Sequence, residues 1–216
     1  MHEIEDSAKL MLERINNLKM KIATLILAAG ESKRMKGVKQ LLPWKDSTLL
    51  GYAITQSLQS SANEVYVVLG ANMDKILNTI DIRKVNLVIN DDWSHGMGTS
   101  IASVIRFFRA NQLDFDGILI RLIDQPLLDV KYYNTLINKY IDSKNIIASS
   151  YKSGYGVPVV FDKKYFDELL VLKSDKGAKG IIKKYKEALI VVDSEGKTID
   201  LDDEQTYLKY YNKYGK

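Results

Sequence analysis

From Lys21 onward the chain alternates between short apolar runs and stretches with helical spacing. The runs KIATLILA, EVYVVLG, VNLVIN, GILIRLID and NIIASS are dominated by aliphatic and β-branched residues. Between them, TLLGYAITQSLQ, ANMDKILNTI, TSIASVIRFFRA and VKYYNTLINKYI place apolar residues three and four apart. Several runs are apolar on both faces, as expected of parallel strands covered by helices on two sides. The prediction is an α/β, three-layer, doubly wound domain with a mostly parallel sheet. Beyond Ser150 the pattern loosens through YKSGYGVPVVF and SDKGAKGIIKKYKEALIVVD, which predicts a distal subdomain or a small antiparallel hairpin able to cover a substrate. Ahead of the first strand, Ile4, Ala8, Met11 and Ile15 fall at helical spacing. Residues 1–20 are therefore read as an N-terminal helical extension, native or added upstream of Met20, and 21–216 as a single domain. Tyr207, Tyr210, Tyr211 and Tyr214 share one face of a closing helix and are read as packing.

Composition narrows the chemistry. With 46% hydrophobic and 27% charged residues in 216, the chain has the make-up of an ordinary globular protein with one sizeable core. It has no cysteine, so disulfides, thiolate metal sites and cysteine nucleophiles are excluded. His2 and His95 are its only imidazoles, so a metal would be held by oxygens and would be of the magnesium kind. No apolar stretch is long enough for a membrane span and the N-terminus lacks the pattern of an export signal, so the expected location is the cytoplasm, with no membrane partner. A net charge of +4 from scattered lysines gives no case for nucleic acid.

One local charge cluster does carry information. Residues 25–43, LILAAGESKRMKGVKQLLP, run from an apolar strand straight into Gly30, Lys33, Arg34, Lys36 and Lys39. In an open α/β sheet, ligands bind beyond the carboxyl ends of the strands. Small residues there let the backbone approach a phosphate, Arg34 can grip it with two prongs, and Lys39 can add a point charge. A tight turn followed by a solvated basic face would read the same way from composition alone. The loop is not a P-loop, because Gly30 and Gly37 are separated by six residues and no Lys-Ser or Lys-Thr follows. Nor does G-x-G-x-x-G occur after this strand.

The stretch LAAGESKRMKGVKQLLP resembles the signature loop of the MobA-like nucleotidyltransferases, approximately L-A-A/G-G-x-S-x-R-M-G-x-x-K-x-L-L. Leu27, Ala28, Ala29, Gly30, Ser32, Arg34, Met35, Lys39, Leu41 and Leu42 match, while Lys36 stands at the family's glycine and Gly37 follows. NDDWSHGMGTSI, LIDQPLL and SDKGAK are similar to later motifs of the branch that attaches CMP to molybdopterin. The resemblance runs from Lys21 to about Tyr211. Departures lie on the acceptor side: Gly156-Val157-Pro158 replaces glycine-histidine-proline, Ser174 replaces a glycine and Lys179 an arginine.

The resemblance implies a Rossmann-like nucleotidyltransferase fold and assigns roles to particular residues. Catalysis falls to Arg34, Lys39 and Asp124. Nucleotide contacts fall to Leu27, Ala28, Ala29, Gly30, Ser32, Gly70, Asn90, Gly98 and Ser100, and acceptor contacts to Gln125, Asp175 and Lys176. Asp124 and Asp200 would hold Mg²⁺, with Asp202 behind. Read by residue type alone, Asp124 could equally cap a turn, Asp202 and Gln205 fit a helix-capping spacing, and Thr99 or Ser100 could cap the helix after WSHGMG. Asp175, Lys176 and Lys179 could simply begin a solvated helix, and His95 is read as a loop residue. The implied reaction is transfer of CMP from CTP to the terminal phosphate of molybdopterin, releasing pyrophosphate. CTP is preferred over GTP because the loop reads LAAG where the guanylyl branch more often has LAGG. The alternatives are GTP as donor, a sugar or polyol phosphate as acceptor, or a non-catalytic protein that delivers a cofactor. A molybdoenzyme receiving the product would be a further partner.

Overall fold

The computed structural model describes residues 20–173 and 177–216. The expected N-terminal helix, apart from Met20, lies outside the described residues. Seven strands form one sheet: β1 (Ile22–Leu27), β4 (Glu64–Leu69), β5 (Asn86–Ile89), β6 (Gly117–Leu122), β7 (Ile146–Tyr151), β8 (Gly154–Asp162) and β9 (Leu189–Val192). Their order is β5-β4-β1-β6-β8-β7-β9, and β8 alone runs against its neighbours. A separate antiparallel pair, β2 (Pro43–Trp44) with β3 (Ser47–Thr48), lies outside the main sheet.

Alternation along the strands sorts the core into layers. Ala23, Leu25 and Leu27 of β1 join Ile118 and Ile120 of β6 against helix α3 (Met97–Ala110), together with α5 (Phe166–Leu170) and α6 (Lys179–Lys184). On the opposite face, Ile26 packs on Leu50, Ala53 and Ile54 of α1 (Leu49–Leu58), beside Ile76 of the short α2 (Met73–Leu77). Ile22 and Leu119 meet Tyr133, Leu136, Ile137 and Tyr140 of α4 (Val130–Ser143) on that same face. Every residue of β1 is buried, which is why the sequence there shows no polar alternation.

The helix ends follow local chemistry. Thr48 caps α1 by accepting from Gly51 N–H, and Asp129 caps α4 by accepting from Tyr132 N–H. Helix α3 departs from expectation. It begins at Met97 on a Gly96 cap with φ 109°, so neither Thr99 nor Ser100 is the capping residue. Gly96 takes that position because the left-handed region disfavours a side chain. The closing helix α7 (Glu204–Tyr210) is capped by Asp203, which accepts from Thr206 N–H, and not by the Asp202–Gln205 spacing.

The hairpin expected after Ser150 is β7–β8, and both of its strands belong to the main sheet. Within this order the chain builds β1, β4 and β5 outward in one direction and then returns to place β6 on the other side of β1. The topological switch point thus falls between β1 and β6, whose ends are level, with Leu27 opposite Leu122. The tyrosines of the C-terminal run pack only in part: Tyr207 is buried and stacks on Tyr211, which tilts against Trp44, whereas Tyr214 is exposed and stacks on Tyr210 at the surface.

Candidate active site

A cleft of about 560 Å³ opens at that switch point, a size suited to a small-molecule ligand. One wall is the loop after β1. Ala28 N–H donates to Val68 O and Ala71 N–H to Ala29 O, fixing the start of the loop on β4. Gln40, fully buried, donates from Nε2 to Ala28 O at 2.7 Å and Gly30 O at 2.9 Å, so one side chain holds both sides of the turn. Ser32 sits at φ 64° and its Oγ accepts from Lys39 N–H at 3.3 Å. A Cβ built on Gly30 would meet no atom within 4 Å; its glycine is not demanded by protein packing but leaves the cleft side of the backbone bare. Leu27, Ala28, Ala29, Gly30 and Ser32 all line the cleft.

The cations on this wall face carboxylates from two other segments. Lys39 Nζ donates to Asp124 Oδ2 and to Asp202 Oδ1, each at 2.9 Å. Arg34, largely exposed, pairs with Asp202 Oδ2 at 3.0 Å. Burial alone would lower the Lys39 ammonium pKa, but Asp124 and Asp202 more than offset it and hold the group above its usual value. Burial likewise pushes against the charged form of Asp202, and Lys39 and Arg34 override it to keep that carboxyl below the usual range. Asp200 moves the other way: desolvation, then the like charge of Asp124, raises it. Asp200 Oδ1 accepts from Gln125 Nε2 at 2.8 Å.

Asp124 has a second feature. Its Oδ1 is buried with no hydrogen-bond partner, and a carboxylate oxygen in that condition calls for a cation or a donor. Asp124 and Asp200 both offer hard oxygen ligands, Asp124 in the lining of the cleft and Asp200 outside that lining, held by Gln125. These residues fit a magnesium-like ion held by one or two protein carboxylates. Among the described residues, no three acidic or imidazole side chains converge into a larger metal cage.

The opposite wall comes from the start of α3. Trp93, Ser94, Gly96, Met97 and Ser100 line the cleft. Asn90 and Gly98 stand behind them: Asn90 Nδ2 donates to Thr99 Oγ1 at 2.9 Å and Ser100 Oγ at 3.0 Å, and Gly98 is buried in the first turn. Gly70 also lies behind the wall, where a Cβ would come within 2.7 Å of the Trp93 side chain. His95 lies outside the cleft.

Gln125 is fully buried and reaches no surface a substrate could touch directly. Its Nε2 also donates to Tyr151 Oη, whose hydroxyl in turn donates to Val157 O. The residue that replaces the family histidine is therefore tied through its backbone to the Asp200 carboxylate. Asp175 and Lys176 lie outside the described residues. The segment resumes at Gly177, with φ 52°, against Met97 of the cleft wall.

Two residues that shape the site, Gln40 and Trp93, have no role in the sequence reading, and a third, Asp202, has only a supporting one. Gln40 occupies an unassigned place between Lys39 and Leu41, and its signal was only its position inside the motif. Trp93 is visible within NDDWSHGMG but carries no charge to mark it. Asp202 was placed behind Asp200, yet it reaches the cations of the loop directly.

Known proteins share this chain's sequence pattern and fold. The sequence pattern described as "MobA-like NTP transferase domain" matches residues 24–189. Nicotine blue oxidoreductase of Paenarthrobacter nicotinovorans is 36% identical over 118 residues, which is 54% of this chain and 55% of that protein. The chain thus spans about half of that relative. The purine catabolism protein PucB of Bacillus subtilis is 28% identical over 193 residues, 85% of this chain and 92% of its own. The manganese complex of Rv0371c from Mycobacterium tuberculosis H37Rv shares the fold, with a TM-score of 0.72 at 24% identity over 88% of this chain and 97% of that one.

Proposed function

Because this chain belongs to the MobA-like NTP transferase domain family, whose chemistry is nucleotidyl transfer, we propose that its cleft moves CMP from CTP to the terminal phosphate of molybdopterin, releasing pyrophosphate. The observation that carries this reading is the meeting of Lys39 with Asp124, whose Oδ1 is unpaired, beside the Arg34–Asp202 pair at the switch point between β1 and β6.

In such a transfer an oxygen of the acceptor phosphate attacks the α-phosphorus of the triphosphate. The bond from that phosphorus to the oxygen bridging to the β-phosphate breaks, and pyrophosphate departs with the electron pair. The acceptor is already an anion, so no general base is needed, in keeping with a cleft lined by no histidine among the described residues. The protein's work is to hold the reactants in line and to offset the repulsion between them. Arg34 and Lys39 provide charge-assisted donors to the β and γ phosphates, where negative charge accumulates. The bare backbone at Gly30 admits close approach, and Gln40 keeps that backbone from yielding. Trp93 and Met97 form the wall against which the nucleoside would rest.

Asp124, with Asp200, would hold Mg²⁺ or a similar ion, which when bound neutralises phosphate charge and polarises the reacting phosphoryl group. A mycobacterial protein of the same fold forms a manganese complex, which is in keeping with use of a divalent ion. Ala29 lines the cleft and takes space that a glycine would leave, which supports a pyrimidine base. The acceptor would lie toward Tyr151 and Val157, with Asp175 and Lys176 meeting its phosphate.

Asp124→Ala tests whether the cleft catalyses or merely carries. Turnover should fall by about a hundred- to a thousandfold, on the scale of losing a principal electrostatic group. Loss of no more than some nucleotide affinity, with turnover intact, would instead indicate a carrier.

A further inference from the structure

Asp202 engages two cations of the phosphate loop at once, Oδ1 with Lys39 and Oδ2 with Arg34. A carboxylate and a phosphate compete for the same donors in the same geometry. We propose that Asp202 is a positioning residue that stands in for substrate phosphate: it keeps Lys39 and Arg34 aligned between turnovers and makes polyphosphate binding depend on a divalent cation. This rests on the reading of the cleft as a nucleoside triphosphate site.

Three observations carry the inference. Asp202 cannot withdraw with its backbone, because the preceding Leu201 is fully buried and donates its N–H to Asp124 O at 2.9 Å, while the following Asp203 caps α7. Its pair with Arg34 involves a side chain 71% exposed, so water weakens that link and an incoming phosphate can replace it. Lys39, by contrast, is only 10% exposed and is shared between Asp124 and Asp202. Two carboxylates thus face two cations, Lys33 and Lys36 of the same loop are paired with Glu31 and Glu204, and the cluster has no surplus positive charge for a highly anionic ligand. A displaced Asp202 stays within reach of the phosphates and repels them. A divalent cation relieves that repulsion, so cation and polyphosphate must bind with positive coupling.

Inorganic tripolyphosphate is the probe, titrated calorimetrically into the wild-type chain and Asp202→Asn, in EDTA and in Mg²⁺. The Asn side chain keeps the shape and leaves the Asp203 cap untouched; Asp202→Ser provides the same comparison if the Asn variant does not fold. Removing the charge should tighten binding in EDTA by roughly tenfold and shrink the ratio between Mg²⁺ and EDTA affinities by a similar factor. A merely structural residue would weaken binding equally in both buffers. Wild-type binding in Mg²⁺, together with variant binding in EDTA that is unchanged or weaker, overturns the inference and leaves the cleft assignment standing. Absence of binding by either protein in either buffer overturns both.

Discussion

Gly30 shows how a single missing side chain can be read. Nothing in the protein would obstruct a Cβ there, so Gly30→Val should leave the melting temperature within about 2 °C of wild type while filling the face of the loop that a phosphate must approach. Triphosphate affinity should fall by about tenfold or more in the same protein. Unchanged affinity would place the ligand elsewhere. Asp200 offers a second test at this scale. Its pKa is raised by burial and by Asp124, so as pH falls it takes up a proton before an ordinary aspartate would. Mn²⁺ affinity, followed by electron paramagnetic resonance, should weaken as pH drops through that raised value, and Asp200→Asn should flatten this part of the profile. An unaltered profile in the variant would remove Asp200 from the ion's environment. Among the site residues, Arg34, Lys39 and Asp124 are legible in the sequence because short motifs surround them. Asp202 is not, since adjacent aspartates compete for the helix cap and its cationic partner Lys39 lies 163 positions away.

At the scale of elements, the apolar runs named the strands because fully buried parallel strands cannot hide among polar alternation. The helix starts were less legible. Several small polar residues in WSHGMGTSI can cap, and the structure instead uses Gly96, while Thr99 turns its hydroxyl back to Gly96 O and Asp92 O. The β2–β3 pair went unseen because two-residue strands have no periodicity to detect. One element contact yields a prediction. Gly70 at the end of β4 lets the Trp93 indole lie against the backbone, and Gly70→Ala would force the indole away from a 2.7 Å approach. Overpacking of this kind costs about 1–3 kcal/mol, so thermal denaturation should move down by several degrees, and nucleoside affinity should fall with it because Trp93 lines the cleft. A variant with wild-type stability and affinity would show that the wall rearranges freely.

At the scale of the whole molecule, the doubly wound pattern was readable from the alternation of elements, but the order of strands was not. Only the fold shows that β6 lies beside β1 and so carries Asp124 to the loop. A stability test belongs here. Asp116 bridges the start of β1 to β8 through Lys21 N–H at 3.0 Å and Lys163 Nζ at 3.1 Å. Burial alone would raise its pKa, and those two partners hold it below the usual value. The stabilisation is therefore present above the unfolded pKa, near pH 4, and is lost as pH falls through the lower folded value. Asp116→Asn should cost about 1 kcal/mol at neutral pH, after allowing for partial exposure, and the difference from wild type should vanish in acid. A gap that persists at pH 2 would point to shape and not charge. Our reading of 21–216 as one folding unit predicts that a chain lacking residues 1–19 still melts in a single cooperative step and keeps its triphosphate affinity.

The most direct test of the account is pyrophosphate release from each of the four nucleoside triphosphates with Mg²⁺, in the presence and absence of molybdopterin. Release that requires molybdopterin and occurs with CTP is the predicted result. Release with none of the four in the presence of molybdopterin would contradict the proposed reaction.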